Sequence, residues 1–174
     1  MNVVAETERL VLRELVPADL DFVADMLGDP EVMRFYPGLL SRSEAESWID
    51  RQLQRYAEHG HGLWLVLDRS TRLPVGQVGL LLQEVQGVPE PEIAYLLHRP
   101  FWHHGFATEA ALSVRSLAFS QFRKTSVISL IRPVNLPSQA VARRIGMAPE
   151  TEVLFKGLPH LVFRQASPVP SAPA

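Results

Sequence analysis

The chain has 174 residues, of which 47% are hydrophobic and 21% charged, as expected for one globular domain with a sizeable core. The formal net charge of −2 argues against a general nucleic-acid binder, and the absence of cysteine excludes disulfides, thiolate nucleophiles and cysteine-ligated zinc. No basic segment followed by an apolar one opens the chain, and no apolar stretch is long enough to span a bilayer, so we expect a cytoplasmic protein without membrane or nucleic-acid partners.

The first part of the chain is predicted to form a strand, a helix and a short turn. Residues 10–14 begin the fold as an apolar strand. Pro17 suits the first turn of a helix with one apolar face, and Gly28 begins the Gly-Asp-Pro sequence that stops this helix. Residues 31–35 are expected to add a short helical turn.

A second helix and a hairpin follow. Ser43 and Glu46 have the spacing of a capping box, and the helix that they open is expected to run to about Glu58. The segments after it are predicted as strand 63–67, a polar turn over 68–74, strand 75–82 and a loop over 87–91.

The second half of the chain again alternates between strands and helices. An apolar run over 93–97 predicts a buried central strand, and residues 110–119 predict a helix. The later elements are strand 126–131, helix 138–145 with Ser138 as N-cap and Gly146 after its end, and strands 152–155 and 160–164. Together they predict a mixed sheet covered by helices in a single domain over 1–165, with a disordered Pro-rich tail over 166–174.

The stretch from Trp102 to Ala110 is the most informative, because it joins the central strand to a helix. Gly105 and Ala107 keep the turn small enough for a ligand to approach the backbone. The first N–H groups of a helix have no internal partner, and the helix dipole adds positive potential, so the pattern predicts a site for a pyrophosphate. Glu109 would repel a phosphate, so we expect it to turn away and pair with an arginine or cap backbone N–H groups.

Three separated segments resemble the GNAT superfamily of acyl-CoA-dependent N-acetyltransferases, and within it the RimJ/RimL-like branch of ribosomal-protein alanine acetyltransferases. Residues 7–13 resemble the first strand of that branch, residues 102–110 its pyrophosphate loop, and residues 133–147 its Asn-x-x-Ser segment and following helix. The resemblance implies a mixed α+β fold, with a mostly antiparallel central sheet, a V-shaped splay between the central strands and about four flanking helices.

The resemblance also implies an enzyme that transfers an acetyl group from acetyl-CoA to a primary amine by direct attack in a ternary complex. Acetyl-CoA is then the co-substrate and no metal is required. His59 with His61, and His103 with His104, have ligand-like spacings, but metal sites usually need three or more converging ligands. The alternative from a different class is a non-catalytic domain that binds or senses acyl-CoA.

From the resemblance, we assign the phosphate groups of CoA to two places, the loop and the helix near the end of the chain. Backbone N–H groups of residues 103–108 would hold the pyrophosphate. The branch commonly has glycine where His103 stands, and a Cβ there restricts the backbone if a positive φ is needed. Arg143 or Arg144 would reach the 3′-phosphate, unless both lie on a solvated helix face.

The pantetheine arm is assigned to the central strand and the Asn-x-x-Ser segment. Main-chain groups of Leu96 and Leu97 would run beside it, and an N–H there would stabilise the oxyanion of the thioester. Asn135 and Ser138 would lie near the pantetheine and the sulfur. The cofactor-binding residues predicted in this way are Leu96, Leu97, His103, His104, Gly105, Phe106, Ala107, Thr108, Asn135, Ser138 and Arg143.

Two residues are candidates for proton transfer. Glu92 at the start of the central strand would take the proton of the attacking amine, and its alternative role is a solvated charge at a strand end. Many relatives use a tyrosine to protonate the thiolate, but Phe155 falls near that region and cannot donate. Ser138 is therefore the candidate donor, with capping of its helix as the alternative role.

The acceptor pocket is expected in the least regular parts of the chain, the segments 28–43 and 156–159. Phe35 and Tyr36 are the candidate acceptor contacts. The sequence leaves open whether the acceptor is a protein N-terminus, an aminoglycoside, a polyamine or an amino acid, and whether the protein is a monomer or a homodimer.

Overall fold

The described part of the chain, residues 2–168 of a computed structural model, forms one eight-stranded sheet. Its strands are β1 (Val3–Glu6), β2 (Leu10–Arg13), β3 (Leu63–Asp68), β4 (Pro74–Val85), β5 (Val88–Leu97), β6 (Ser126–Ile131), β7 (Ala148–Phe155) and β8 (Leu158–Ala166). Their order across the sheet is β1-β2-β3-β4-β5-β6-β8-β7, and all neighbours are antiparallel except β5 and β6.

Helices cover both faces of this sheet. They are α1 (Leu20–Gly28), α2 (Arg42–His59), α3 (Phe106–Ser120) and α4 (Leu136–Arg144). Alternate residues of a strand face opposite sides, so α1 and α2 share one core with Val11 and Leu65, whereas α3 and α4 share the other with Leu12 and Val66. The buried residues of α3 include Ala110, which lets the helix approach the sheet closely. The predicted mixed α+β fold with four flanking helices is confirmed.

The sheet opens between β5 and β6. These strands share a single register pair, Glu92 with Ile128. On the β6 side, the Ser129 hydroxyl donates to the Ile93 carbonyl, and on the β4 side the His98 N–H donates to the Val75 carbonyl. Because the main-chain groups of successive strand residues point to opposite edges, the odd-numbered residues of β5 direct theirs towards β6. Beyond Ile93 this edge faces a V-shaped gap, which we call the splay, as the family resemblance implied.

The long β4–β5 hairpin corrects one predicted loop. Residues 87–91, predicted as a loop, lie within or beside β5, which begins at Val88 and pairs with β4 along its length. Pro89 and Pro91 are odd-numbered, so the N–H that each lacks would point away from β4 and no ladder bond with β4 is lost. The turn itself is made by Gln86 and Gly87, whose φ angles are 51° and 80°.

The starts of three helices differ from the prediction. Ser41 caps α2 and exchanges hydrogen bonds with Glu44, so the capping box lies two residues before the predicted pair. The helix α3 begins at Phe106, whereas 110 was predicted. Asn135 caps α4 through its Oδ1, so the predicted N-cap role of Ser138 is wrong.

Both ends of the described chain belong to the sheet. The strand β1 was not predicted from the sequence, and β7 and β8 are longer than predicted. Ala166, assigned to the tail, is the last residue of β8, and the Ser167 N–H donates to the Thr125 carbonyl at 2.8 Å. The rest of the predicted disordered tail, 169–174, lies outside the described residues.

Candidate active site

The N-terminus of α3 presents unused backbone donors. Gly105 precedes the helix with a φ of 79°, and the first helical hydrogen bond runs from the Glu109 N–H to the Gly105 carbonyl at 3.1 Å. Within residues 2–168, the amides from Gly105 to Thr108 donate no hydrogen bond. Four such N–H groups at the positive end of a helix dipole are suited to an anion.

Arg9 and Glu109 fasten this helix end to the β1–β2 turn. The Glu109 carboxylate accepts hydrogen bonds from the Thr7 hydroxyl at 2.6 Å, the Arg9 amide at 2.9 Å and the Arg9 guanidinium at 2.7 Å. Although partial burial acts in the opposite sense, these bonds lower the pKa of Glu109. The carboxylate thus pairs with an arginine and accepts a backbone N–H, as predicted, although Glu109 also borders the cavity beside the free amides. Arg9 also donates to the His104 carbonyl at 3.0 Å.

The two histidines of the loop have different positions. His103 has a φ of 65°, the left-handed conformation that glycine adopts without a Cβ penalty, so the restriction considered for this residue is real. The His104 ring lies against the Phe106 ring, with centroids 5.7 Å apart, and its Nδ1 is 2.8 Å from the Trp102 carbonyl. His103 is the one that borders the cavity beside the free amides.

That cavity has a volume of about 650 Å³ and is the candidate phosphate site. It is lined by Thr7, Glu8, Arg9, His103, Gly105, Thr108, Glu109, Leu112 and Arg144. Arg144 is the arginine of α4 that reaches it. Arg143, which the sequence favoured, instead lies over the Phe163 ring at 5.3 Å from the centroid, so its assignment to this site is not supported.

A second cavity, of about 560 Å³, extends from the splay to the connection between α1 and α2, and we call it the central cavity. Six of the residues predicted from the sequence line it: Phe35, Tyr36, Glu92, Leu96, Asn135 and Ser138. Leu158 of the predicted segment 156–159 lines it as well. The structure therefore brings the candidate catalytic and acceptor-binding residues into one space, next to the open edge of β5.

Glu92 is a buried carboxylate on the floor of the central cavity. Only 7% of its surface is exposed, so the alternative of a solvated strand-end charge is wrong. Gln83 donates to Oε2 at 2.8 Å, and the Leu130 amide donates to Oε1 at 3.3 Å. Burial raises the pKa of Glu92, while these hydrogen bonds act in the opposite sense. A carboxyl group with a raised pKa is a better proton acceptor than an ordinary solvated one.

Tyr36 lies across the cavity from the sheet, in the connection between α1 and α2. The residue is 41% exposed along the rim, whereas its hydroxyl group is surrounded by protein. This surrounding and the charge of Glu92 raise the pKa of Tyr36 to about 12. The phenol is therefore neutral at physiological pH and can donate a hydrogen bond within the cavity.

Ser138 is free to act as a donor because Asn135 does the capping. The Asn135 Oδ1 accepts the Ser138 amide at 3.2 Å, and the Ser138 hydroxyl has no hydrogen bond within the described part of the chain. The Tyr95 hydroxyl donates to the Ser138 carbonyl at 2.7 Å and so connects β5 to α4 across the splay. Burial raises the pKa of Tyr95, which keeps this donor neutral.

Comparison with known proteins identifies the family to which the chain belongs. The model of a family described as the acetyltransferase (GNAT) domain matches residues 9–148. The chain belongs to the GNAT acetyltransferase family. It is an acetyl-CoA-dependent acetyltransferase.

Relatives of this acetyltransferase are known by sequence and by structure. The Bacillus subtilis protein YkkB, which is uncharacterized, is 31% identical over 142 residues, 81% of this chain and 83% of that protein. An Agrobacterium tumefaciens acetyltransferase is 27% identical with a TM-score of 0.82 and coverage of 94% of each chain. RimL, a ribosomal L7/L12 alpha-N-protein acetyltransferase solved with coenzyme A, has a TM-score of 0.79 over 95% of this chain and 98% of that chain. At 13% identity, this last likeness shows the fold alone.

The residues of the acetyltransferase fit coenzyme A. The free amides of α3 suit the pyrophosphate, and the odd-numbered residues Tyr95 and Leu97 direct main-chain groups into the splay, where an extended pantetheine arm can lie as an added strand. Leu96 directs its main-chain groups towards β4, so it contributes only its side chain to the cavity. The Leu97 carbonyl accepts the Trp102 indole N–H at 2.8 Å, which leaves the Leu97 amide on the splay side.

Further residues of the central cavity were missed by the sequence reasoning. Gln77 is fully buried, with its Oε1 accepting the Trp48 indole N–H at 2.9 Å and its Nε2 unpartnered among the described residues. Arg132 follows β6 directly and lines the same cavity near Lys156 and His160. Because alternate residues of a strand face the same side, Arg132 lies on the same face of the sheet as Ile128. Its even spacing from Ile128 was the sequence signal that could have placed Arg132 in the cavity.

Two kinds of site are not found in residues 2–168. They contain no group of three or more acidic, histidine or cysteine side chains arranged to hold a metal ion. None of the helices described is both long and apolar enough to cross a membrane.

Proposed function

We propose that this acetyltransferase acetylates the N-terminal amine of a protein, as expected for the RimJ/RimL-like branch that its motifs resemble. The observation that carries the proposal is the buried Glu92 carboxylate in a cavity that joins the splay to an exposed rim. The rim includes Tyr36 and Leu39, which are 41% and 52% exposed, and a volume of about 560 Å³ has room for the first residues of a peptide.

Cofactor binding is assigned to two groups of residues. The amides from Gly105 to Thr108 bind the pyrophosphate, and Arg144 with His103 contacts the neighbouring phosphate region. The amides of Tyr95 and Leu97, with Asn135 and the side chain of Leu96, hold the pantetheine arm. Acetyl-CoA supplies the acetyl group as an activated thioester.

Acetyl transfer follows from this placement. The amine nitrogen attacks the thioester carbonyl, and a main-chain N–H of β5 stabilises the oxyanion. Glu92 accepts the amine proton, directly or through a water, because an amine must be neutral to attack. When the carbon–sulfur bond breaks, the Ser138 hydroxyl donates a hydrogen bond to the departing thiolate. Its proton passes to the sulfur while a water returns a proton to the Ser138 oxygen, so that no serine alkoxide forms.

A panel of acceptors tests the proposal. Free-thiol release from acetyl-CoA is measured with short peptides that have a free N-terminal alanine, with the same peptides blocked at the N-terminus, and with an aminoglycoside, a polyamine and a free amino acid. We expect turnover of the free peptides and none of the blocked ones. Preference for one of the small molecules would refute the protein N-terminus as acceptor. Binding of acetyl-CoA without turnover of any amine would favour the acyl-CoA sensor.

A further inference from the structure

A group of basic side chains lines one wall of the central cavity. Arg132 follows β6, Lys156 lies in the β7–β8 turn and His160 lies on β8. The last register pair of β6 and β8 is Ile131 with Leu161, so the next residues, Arg132 and His160, are opposite each other on the same face. We call these three residues the basic wall.

The basic wall faces the acceptor side of the sheet. Glu92 and Ile128 are register partners, and Arg132 shares the face of Ile128 because the two are an even number of residues apart. The Leu130 amide, between them, donates to the Glu92 carboxylate. The core on the opposite face contains Val127 and Ile131 together with α3 and α4, the helices that carry the phosphate site.

No carboxylate forms an ion pair with Arg132 or Lys156 within residues 2–168. Arg132 forms neither a side-chain hydrogen bond nor an ion pair there, and its Nε is buried without a partner. A buried polar donor that is left unpaired destabilises the protein, so a bound acceptor group would remove that penalty. The Lys156 ammonium lies 5.2 Å from the centre of the Phe155 ring and forms no ion pair there. Its charge does act on the Glu92 carboxylate, where it opposes the rise in the pKa of Glu92 that burial causes.

The pKa of His160 depends on the charges of its neighbours. Its Nδ1 is 2.9 Å from the Leu158 carbonyl, and its ring packs edge-on against Phe155. Burial lowers the pKa of His160, the bond to Leu158 acts in the opposite sense, and the positive charges of Arg132 and Lys156 lower the pKa further. An anion bound between those two charges would reverse the last effect.

We propose that Arg132 and Lys156 form a subsite for a carboxylate of the acceptor, so that the preferred substrate is a peptide N-terminus followed closely by an acidic residue. The inference rests on the proposed function, in which the amine reaches Glu92. Arg132 lies four residues beyond Ile128, which is about 13 Å along the strand. An extended peptide advances about 3.3–3.6 Å per residue, so an acidic side chain at its second to fourth position spans the distance. The carboxylate of a free α-amino acid is too close to its own amine to do so.

Matched peptides test the subsite. Peptides with an N-terminal alanine and glutamate at the second, third or fourth position are compared with otherwise identical peptides that contain glutamine. We expect kcat/KM to be about 10- to 100-fold higher for the best glutamate peptide, as a charged hydrogen bond implies. The Arg132→Gln variant should bring that ratio close to one, mainly through KM, and Arg132→Lys should retain part of it. Arg72→Gln, which removes an exposed arginine in the β3–β4 turn, should leave the ratio unchanged.

A binding measurement separates the failure of the subsite from the failure of the proposed function. In the presence of CoA, the imidazole signal of His160, assigned with a His160→Asn variant, is titrated with and without the glutamate peptide. We expect the pKa of His160 to rise on binding in the native enzyme and not in Arg132→Gln. Turnover of both peptides at equal rates, or a His160 titration that the peptide does not move, would overturn the subsite while leaving N-terminal acetylation intact. If the blocked and free peptides are both inert, the proposed function fails, and the His160 titration alone decides whether the anion site exists.

Discussion

A single charge placed before α3 would test the phosphate site directly. Gly105 has a φ of 79°, and a Cβ built there would meet only the Arg9 guanidinium, at 3.5 Å, which is ordinary contact. Asparagine and aspartate are the residues that best tolerate this left-handed conformation, and they have nearly the same shape. The Gly105→Asp and Gly105→Asn variants therefore differ mainly by one negative charge.

The size of the effect follows from the distance between that charge and the bound pyrophosphate. Two unit charges 4 Å apart interact by about 1 kcal/mol in water and by about 4 kcal/mol at the effective dielectric constant typical near a protein surface. Gly105 is exposed and Arg9 lies beside it, so screening is substantial. We expect a loss of about 2 kcal/mol, or about 30-fold in the Kd for CoA, relative to Gly105→Asn.

Isothermal titration calorimetry with CoA measures this difference at two salt concentrations. The ratio of the two dissociation constants should shrink at high salt, because the repulsion is between exposed charges. Circular dichroism confirms that both variants are folded. A Gly105→Asp protein that binds CoA within roughly threefold of the Gly105→Asn protein at low salt would show that the pyrophosphate does not lie at this helix end.

Three further predictions concern the central cavity and the loop. Because burial raises the folded-state pKa of Glu92, the fold loses stability as pH rises from the ordinary carboxyl pKa through this raised value, and Glu92→Gln should melt higher than the native enzyme at alkaline pH. The same variant should lose turnover and the acidic limb of the pH–rate profile, and an unchanged profile would remove Glu92 as the base. Asn135→Ala should lower the free energy of unfolding by about 1 kcal/mol because the helix cap is lost, whereas Ser138→Ala should lower kcat with little change in stability. Denaturant titrations in which Ser138→Ala is the destabilised variant and Asn135→Ala is not would contradict the assignment of the cap. His103→Gly should raise the free energy of unfolding by about 0.5–1 kcal/mol, because removing the strain of the left-handed backbone outweighs the entropy that glycine adds to the unfolded chain. A destabilised variant would count against strain at His103.

The site could be predicted where several local signals coincide. Strand 126–131 has the predicted bounds, since an apolar run there is flanked by polar turns. The loop before α3 was located because the small residues Gly105 and Ala107 lie between an apolar strand and a helix, and Gly105 proves to have a positive φ. Glu92, Phe35 and Tyr36 line one cavity, although only the fold brings these distant segments together.

The remaining differences come from choices that local sequence does not decide. Asn135 and Ser138 are both good N-cap residues, and the chain uses the first. Arg143 and Arg144 are about 100° apart around a helix, so the packing of α4 on the sheet alone selects which one reaches the phosphate cavity. Pro89 and Pro91 suggested a loop, because their compatibility with a strand depends on which edge each residue faces.

The splay divides the amides of one strand into two populations with different protection from solvent deuterium. Those of Ala94 and Leu96 are locked in the ladder with β4 and should exchange slowly, by global unfolding. Those of Tyr95 and Leu97 lie in the middle of the sheet, yet they should exchange readily until the coenzyme fills the gap and completes the missing strand. If the pantetheine arm lies there as proposed, the substrate would complete the sheet, and β5 should show a two-residue alternation of exchange rates that disappears when the cofactor binds.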